Sequence, residues 1–236
     1  MEHLKKELTE KGYTFFKMQD YPEFADDYIR YKKYVCNAEH NLLDKIKSVR
    51  LDGVYLKSYY KSFESSRYQV DTEANSFEEI SNKVETEYLP YTDLPNSPQY
   101  WYYGYPHEVV DEFEILSNKI VEKLYGVQED SLMHLANLTY YKNDCFLREH
   151  RDGQTGTRLC AVLIYLNDED YKIEWGGNIV FEQTETVPPI YGNIAVLDFK
   201  EGNCLHEVKK VVDGYGRYAI LDFVSVGTPP EKPNYY

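Results

Sequence analysis

The spacing of apolar positions changes period partway along the chain. Residues 1–50 read as helical: Phe24, Tyr28, Tyr31 and Val35 recur at helical spacing. Pro22 stands ahead of them, where a first helical turn tolerates it. Leu42, Leu43, Ile46 and Val49 predict a second helix over 38–49. Between 51 and 75, the groups Val54-Tyr55-Leu56, Tyr59-Tyr60 and Tyr68-Gln69-Val70 predict short strands broken by polar turns. The clearest helix covers 107–125. It carries Val109, Phe113, Leu116, Ile120 and Leu124 on one face, with Gly126 placed to cap its C-terminus. Such a helix should back a sheet.

From residue 131 onward the period shortens to two, and strands are expected at 135–141, 158–166, 178–181, 194–199 and 217–226. The run 159–164 is apolar on both faces, as a central strand would be. Regular short strands without intervening helices predict a β-sandwich or double-sheet barrel. Three segments are thus expected. Residues 1–130 form a helical and mixed flank, 131–226 form the strand-rich core, and 227–236 form a Pro-rich, extended tail.

Residues 85–106 break every period. Tyr88, Pro90, Tyr91, Pro95, Pro98, Tyr100, Trp101, Tyr102, Tyr103, Tyr105 and Pro106 crowd together. Proline at that spacing opposes a regular helix or central strand. The stretch reads as an irregular loop packed on the domain, either structural or lying over a site mouth.

Composition narrows the function. There are 26 Lys and Arg against 40 Asp and Glu, a formal charge of −14, which opposes nucleic acid and anionic membrane as partners. The four cysteines, at 36, 145, 160 and 204, form no paired motif and read as reduced thiols in a cytoplasmic setting. No apolar run of membrane-spanning length and no signal peptide is expected. The 25 tyrosines suit half-buried strands and wet clefts alike.

The chemistry concentrates between His150 and Arg217. Two histidines and an aspartate, His150, Asp152 and His206, form a candidate 2-His-1-carboxylate set. Such a set leaves positions open on a metal and is diagnostic of non-haem Fe(II) oxygenases. His150 and Asp152 are two apart, so an extended segment points both the same way. His134 lacks a carboxylate two positions on and reads as structural.

Around these residues the chain resembles the Fe(II)/2-oxoglutarate-dependent oxygenases, in their prolyl 4-hydroxylase-like branch. Tyr141 through Asp152 resembles the first metal-binding segment. Residues 158–167 and then Gly176-Gly177-Asn178-Ile179-Val180-Phe181 resemble the strand and Gly-Gly turn that follow. Tyr191-Gly192-Asn193, Leu205-His206-Glu207-Val208 and residues 214–219 resemble the second half. The likeness covers roughly 135–225. It implies an α+β fold with a double-stranded β-helix core (jelly-roll, cupin-like), backed by helices from the N-terminal half.

The resemblance also implies roles. His150, Asp152 and His206 would bind Fe(II). Arg217 would pair with the distal carboxylate of 2-oxoglutarate, a match of fork to carboxylate. Tyr141, or Tyr140 if the register slips by one, would hydrogen-bond the cosubstrate. Tyr165 would lie near it or be a plain core aromatic. The implied cofactors are Fe(II), 2-oxoglutarate and O₂, with ascorbate as a further candidate. Two departures stand out. Asp144 occupies a frequent glycine position, and Ala219 stands where the wider superfamily often has Ser or Thr, leaving the β-face of Arg217, Ala219 and Leu221 without a hydroxyl.

The activity implied is hydroxylation of an unactivated C–H bond, most plausibly a peptidyl proline, coupled to decarboxylation of 2-oxoglutarate to succinate. The competing reading is a free amino acid or small polar metabolite, held by Arg148, Arg151 or Arg158. A non-catalytic binding module, a Zn or Mn barrel and nucleic-acid demethylation rank lower. The substrate is therefore a peptide, a protein or a small molecule.

Overall fold

The computed structural model describes residues 1–40, 54–61, 67–72, 99–104, 108–141, 143, 145–152, 157–199 and 204–227. Helix α1 spans Glu2–Lys11 and buries Leu4 and Leu8. Gly12 ends it in the left-handed region (φ 76°), donating its N–H to Leu8. The chain then turns directly into strand β1, Tyr13–Lys17. This corrects the expectation of an all-helical start. Tyr13-Thr14-Phe15-Phe16 is a β-branched and aromatic run, and it pairs antiparallel with a strand almost two hundred residues away.

Single 3₁₀ turns at Pro22–Phe24 and Lys32–Tyr34 flank helix α2, Ala25–Tyr31. The spacing of Phe24, Tyr28, Tyr31 and Val35 is thus helical, in pieces. Of the helix expected over 38–49, residues 41–49 lie outside the described residues. Before them, the Asn37 side chain accepts the backbone N–H groups of Glu39 and His40 at 3.0 and 2.7 Å.

Helix α3, Glu108–Tyr125, ends at Gly126, whose N–H bonds the Glu122 carbonyl at 2.9 Å. Phe113, Leu116, Ile120 and Leu124 are buried, and the helix lies against strands β5 and β12. No helix among the described residues is long and apolar enough to cross a membrane.

Twelve antiparallel strands are seen among the described residues, in two sheets. After β1 come β2, Val54–Lys61; β3, Arg67–Thr72; β4, Gln99–Gly104; β5, Leu132–Tyr141; and β6, Leu147–His150. There follow β7, Arg158–Tyr165; β8, Ile179–Phe181; β9, Glu185–Val187; β10, Asn193–Asp198; β11, His206–Val208; and β12, Arg217–Val226. The large sheet runs β1-β10-β7-β12-β5-β4-β2-β3 and the small one β6-β11-β8-β9. This is the facing-sheet arrangement of a double-stranded β-helix.

Strand β4 corrects the reading of 85–106 as wholly irregular. Its backbone pairs with β5 (Tyr100 opposite Tyr140) and with β2. Pro98 and Pro106 bracket this aromatic run rather than interrupt it, so they bound a strand instead of breaking one. Residues 85–98 and 105–106, with the suggested position over a site mouth, lie outside the described residues, as does the tail from 228.

Strand β7 is buried on both faces, as its sequence predicts. Val162 and Ile164 join Leu138, Ile220 and Val224 beneath α1 and α3. Ala161, Leu163 and Tyr165 join Ala219 and Phe223 on the other face, against Ile179, Phe181 and Val187 of the small sheet. Each fully buried Leu, Ile or Phe contributes roughly 1.5–3 kcal/mol. The large sheet is therefore clamped from outside by helices, and its inner face is held at a fixed distance from the small sheet. The functional residues sit in that inner space.

Candidate active site

Two strands of the small sheet bring the candidate metal ligands together. β6 and β11 pair with His150 directly opposite His206, and the register shifts immediately beyond. Irregularities of this kind re-aim side chains next to active sites. Asp152 follows just beyond β6. His150 Nε2 lies 3.5 Å from Asp152 Oδ1, and His206 Nε2 lies 3.7 Å from Asp152 Oδ2. All three ligand atoms fall within 4.8 Å of one another, the one such cluster among the described residues. Ligands about 2.1 Å from an octahedral ion stand about 3 Å apart. A divalent cation thus requires only a small contraction.

The surroundings prepare these ligands. His206 Nδ1 stands 3.1 Å from the Cys204 carbonyl. That contact places the proton on Nδ1 and leaves the Nε2 lone pair for a metal. Burial, with the charges of Asp152 and Glu182, pushes the Cys204 thiol up to about 12. At the rim, Arg151 pairs with Glu182 at 3.4 Å. The Glu182 carboxylate also accepts the Leu205 N–H at 2.8 Å, which ties the β8–β9 turn to the strand that carries His206.

A second polar cluster lies on the inner face of the large sheet. Arg217 opens β12 and is only 2% exposed. Its guanidinium lies 4.8 Å over the Tyr141 ring and 5.3 Å over the Tyr165 ring. Its Nη1 is 3.5 Å from Thr139 Oγ1, and its Nε has no hydrogen-bond partner. Tyr165 Oη is likewise buried and without a partner. Among the described residues no carboxylate pairs with Arg217. A buried cation is costly unless paired, so the guanidinium is suited to receive an anion. The glycine turn makes the space. A Cβ on Gly177 (φ +71°) would meet Arg217 Cβ at 3.0 Å and Cδ at 3.2 Å.

Burial raises the Tyr141 phenol pKa and the Arg217 charge pulls it back, with smaller rises from Cys145, Tyr165 and Asp152. The same holds in part for Tyr165, which burial raises and Arg217 lowers. Tyr140, on the opposite face, stacks on Tyr218 at 4.7 Å.

The structure thus gathers His150, Asp152 and His206 in one place and Arg217, Tyr141 and Tyr165 in another. His134 is elsewhere, bridging Asp222 and Asn118 at 2.7 Å each. Sequence reasoning missed Thr139. The inner face does hold a hydroxyl, supplied by β5 opposite Ala219, but its proton goes to the Ala219 carbonyl at 3.0 Å, so it accepts from Arg217 and orients the guanidinium. Its signal was the alternation that puts Thr139 on the same face as Tyr141.

The chain is similar to known proteins in its core sequence and in its fold. Residues 136–225 match the family model of the 2OG-Fe(II) oxygenase superfamily. No curated protein matches the chain by sequence. Among solved structures, a prolyl hydroxylase from Trichoplax adhaerens, in complex with a hypoxia inducible factor peptide fragment, superposes with a TM-score of 0.55 at 13% identity, covering 94% of this chain and 87% of that one. A prolyl-4-hydroxylase from Pseudomonas putida gives 0.50 at 14% identity, covering 96% and 98%. One from Phytophthora capsici gives 0.51 at 14% identity, covering 96% and 63%. These are likenesses of fold.

Proposed function

We propose that this chain, whose residues 136–225 carry the 2OG-Fe(II) oxygenase core, hydroxylates an unactivated C–H bond, with a peptidyl proline as the first candidate substrate. The observation that carries the reading is Arg217. It is a buried guanidinium with an unpartnered Nε, packed on the Tyr141 and Tyr165 rings, in a chain that also gathers a His-Asp-His set. That arrangement fits a dicarboxylate with one end near a metal and the other on a fork of donors.

Each residue has a distinct task in this reading. His150, Asp152 and His206 hold Fe(II), with Asp152 neutralising part of its charge. Arg217 and the Tyr165 hydroxyl take the distal carboxylate of 2-oxoglutarate, satisfying two buried donors that otherwise have no partner. Tyr141 orients the cosubstrate between them. Ala161, Leu163, Ala219 and Phe223 keep the inner space apolar and exclude water. Bound Fe(II) supplies the activation of O₂, coupled to decarboxylation of 2-oxoglutarate to succinate and CO₂.

The prolyl hydroxylase folds above are the reason to test peptidyl proline first. A free amino acid is the second reading. It is favoured by Arg158, whose guanidinium lies 4.6 Å over Phe223 on the inner face, at the end away from Arg217. The test is succinate release with Fe(II), 2-oxoglutarate and a panel of proline-rich peptides and free amino acids. His150→Ala and His206→Ala should abolish both iron binding and turnover. Stoichiometric iron retained in both variants would defeat the assignment of the metal site.

A further inference from the structure

Three buried polar atoms without partners line one inner face. Arg217 Nε and Tyr165 Oη are donors, whereas Asn137 Oδ1 is an acceptor. Asn137 is fully buried. It sits on β5 on the same face as Thr139 and Tyr141, opposite Leu221 of β12. Its orientation is fixed, because its amide nitrogen donates to the Leu135 carbonyl at 2.9 Å and the Leu221 carbonyl at 3.4 Å. The oxygen is thereby left to point elsewhere. A buried acceptor without a donor is rare and calls for an explanation.

The cosubstrate does not provide one. At neutral pH, 2-oxoglutarate is a dianion with two carboxylates and a ketone, and it has no hydrogen to donate. It can satisfy Arg217 and Tyr165 but not Asn137. Position supports the distinction. Asn137 stands four residues from Tyr141 along β5, about 13 Å at the usual rise of a strand, so it lies well toward the opposite end from Arg217. Beyond it come Leu135, which is 45% exposed, and Phe223. Along the face the chemistry runs from guanidinium, through hydroxyl, to a bare amide oxygen, and then to apolar side chains.

We infer that Asn137 Oδ1 reads a hydrogen-bond donor on the primary substrate, so that the substrate presents an N–H group (a peptide amide or an amine) beside the carbon to be oxidised. This rests on the oxygenase reading above. It deepens that reading by assigning Asn137 as a specificity-determining residue and by excluding substrates that offer only acceptors there.

The test separates the two subsites. 2-Oxoglutarate binding to the Mn(II)-loaded protein should be within about twofold of wild type in Asn137→Leu. A larger loss would place Asn137 in the cosubstrate subsite and overturn the inference. If the wild type itself fails to bind 2-oxoglutarate, the oxygenase reading falls instead. Succinate release is then followed with two probe pairs, L-proline against N-acetyl-L-proline, and acetyl-Gly-Pro-Gly-amide against its backbone N-methylated form. With wild type, the donor-bearing member of at least one pair should stimulate turnover, and its donor-free partner should require about tenfold or more higher concentration. In Asn137→Leu, KM for the effective donor probe should rise by a similar factor with KM for 2-oxoglutarate held. Asn137→Asp keeps the shape and an acceptor oxygen, and should retain the probe better than Leu does. Equal turnover within both pairs, no stimulation by either donor probe, or equal losses in the Leu and Asp variants would each overturn the assignment. The wild-type probe pairs decide the matter even if the variants fold poorly.

Discussion

Arg217→Met separates a binding arginine from a structural one, because the two effects have opposite signs. Methionine fills the volume of the side chain without its charge. In the protein alone, the guanidinium is buried and among the described residues pairs with no carboxylate. Its desolvation costs several kcal/mol. That cost is offset by cation–π contacts to Tyr141 and Tyr165 at 4.8 and 5.3 Å, each worth about 0.5–2 kcal/mol. The two nearly cancel. Arg217→Met should therefore leave the stability of the unliganded protein within about 2 kcal/mol of wild type. Removing one partner of a satisfied buried ion pair would cost about 3–5 kcal/mol instead.

Cosubstrate binding responds differently. Two charge-assisted hydrogen bonds at roughly 1.5–3 kcal/mol each are lost, which is about a hundredfold or more in Kd. The assay is thermal unfolding under anaerobic conditions with Mn(II), with and without 2-oxoglutarate at a hundred times the wild-type Kd. Wild type should gain about 2.7 kcal/mol, a rise of roughly 5–11 °C for a chain of this size. The variant should gain under about 0.5 kcal/mol. A variant that is badly destabilised without ligand, or one that keeps the full ligand-induced rise, would refute the argument.

Other expectations follow from the same geometry. Thr139→Ala removes the oxygen that accepts from Arg217 Nη1 at 3.5 Å and should weaken 2-oxoglutarate several-fold by loosening the guanidinium; titration of 2-oxoglutarate checks it. Gly177→Ala places a Cβ 3.0 Å from Arg217 Cβ at a left-handed φ, so it should cost about 1–2 kcal/mol and also raise KM for 2-oxoglutarate, as chemical denaturation and kinetics would show. On the outer face, burial and the Asp222 charge raise Glu114 to about 7. A carboxyl whose folded pKa is raised holds its proton more tightly when folded, so its contribution to stability is lost as pH climbs from about 4.5 to 7. His134 is lowered by burial but raised more by its Asp222 bond and the neighbouring charges. Its contribution is full below about 6.5 and lost above. Denaturation midpoints should fall with rising pH through this window, and Glu114→Gln should flatten the lower part of the slope.

The legible parts of the fold are those whose period outlasts local ambiguity. Helix α3 shows a full apolar stripe over Glu108–Tyr125, and β12 is a ten-residue run, Arg217–Val226, rich in β-branched and aromatic residues. Both are long enough to stand out in sequence. Strand β1 was hidden because Tyr13–Lys17 is five residues long, too short for either period to win, and what stabilises it is a partner strand far along the chain. Strand β4 was hidden by its bracketing prolines.

The site divides in the same way. His150, Asp152, His206 and Arg217 are legible through their joint order and spacing rather than singly, and the pairing of β6 with β11 accounts for the meeting of the two histidines. Thr139 and Asn137 are ordinary strand residues whose meaning lies in register. Thr139 matters because it faces Ala219, and Asn137 because it faces Leu221. Slipping β5 by one residue would send both to the helix side of the sheet. The register is held there by Leu138, Ile220 and Val224 beneath α3. Polar specificity on the inner face therefore depends on apolar packing on the outer one. A cavity cut under α3, such as Leu138→Ala, should disturb the inner face without touching it.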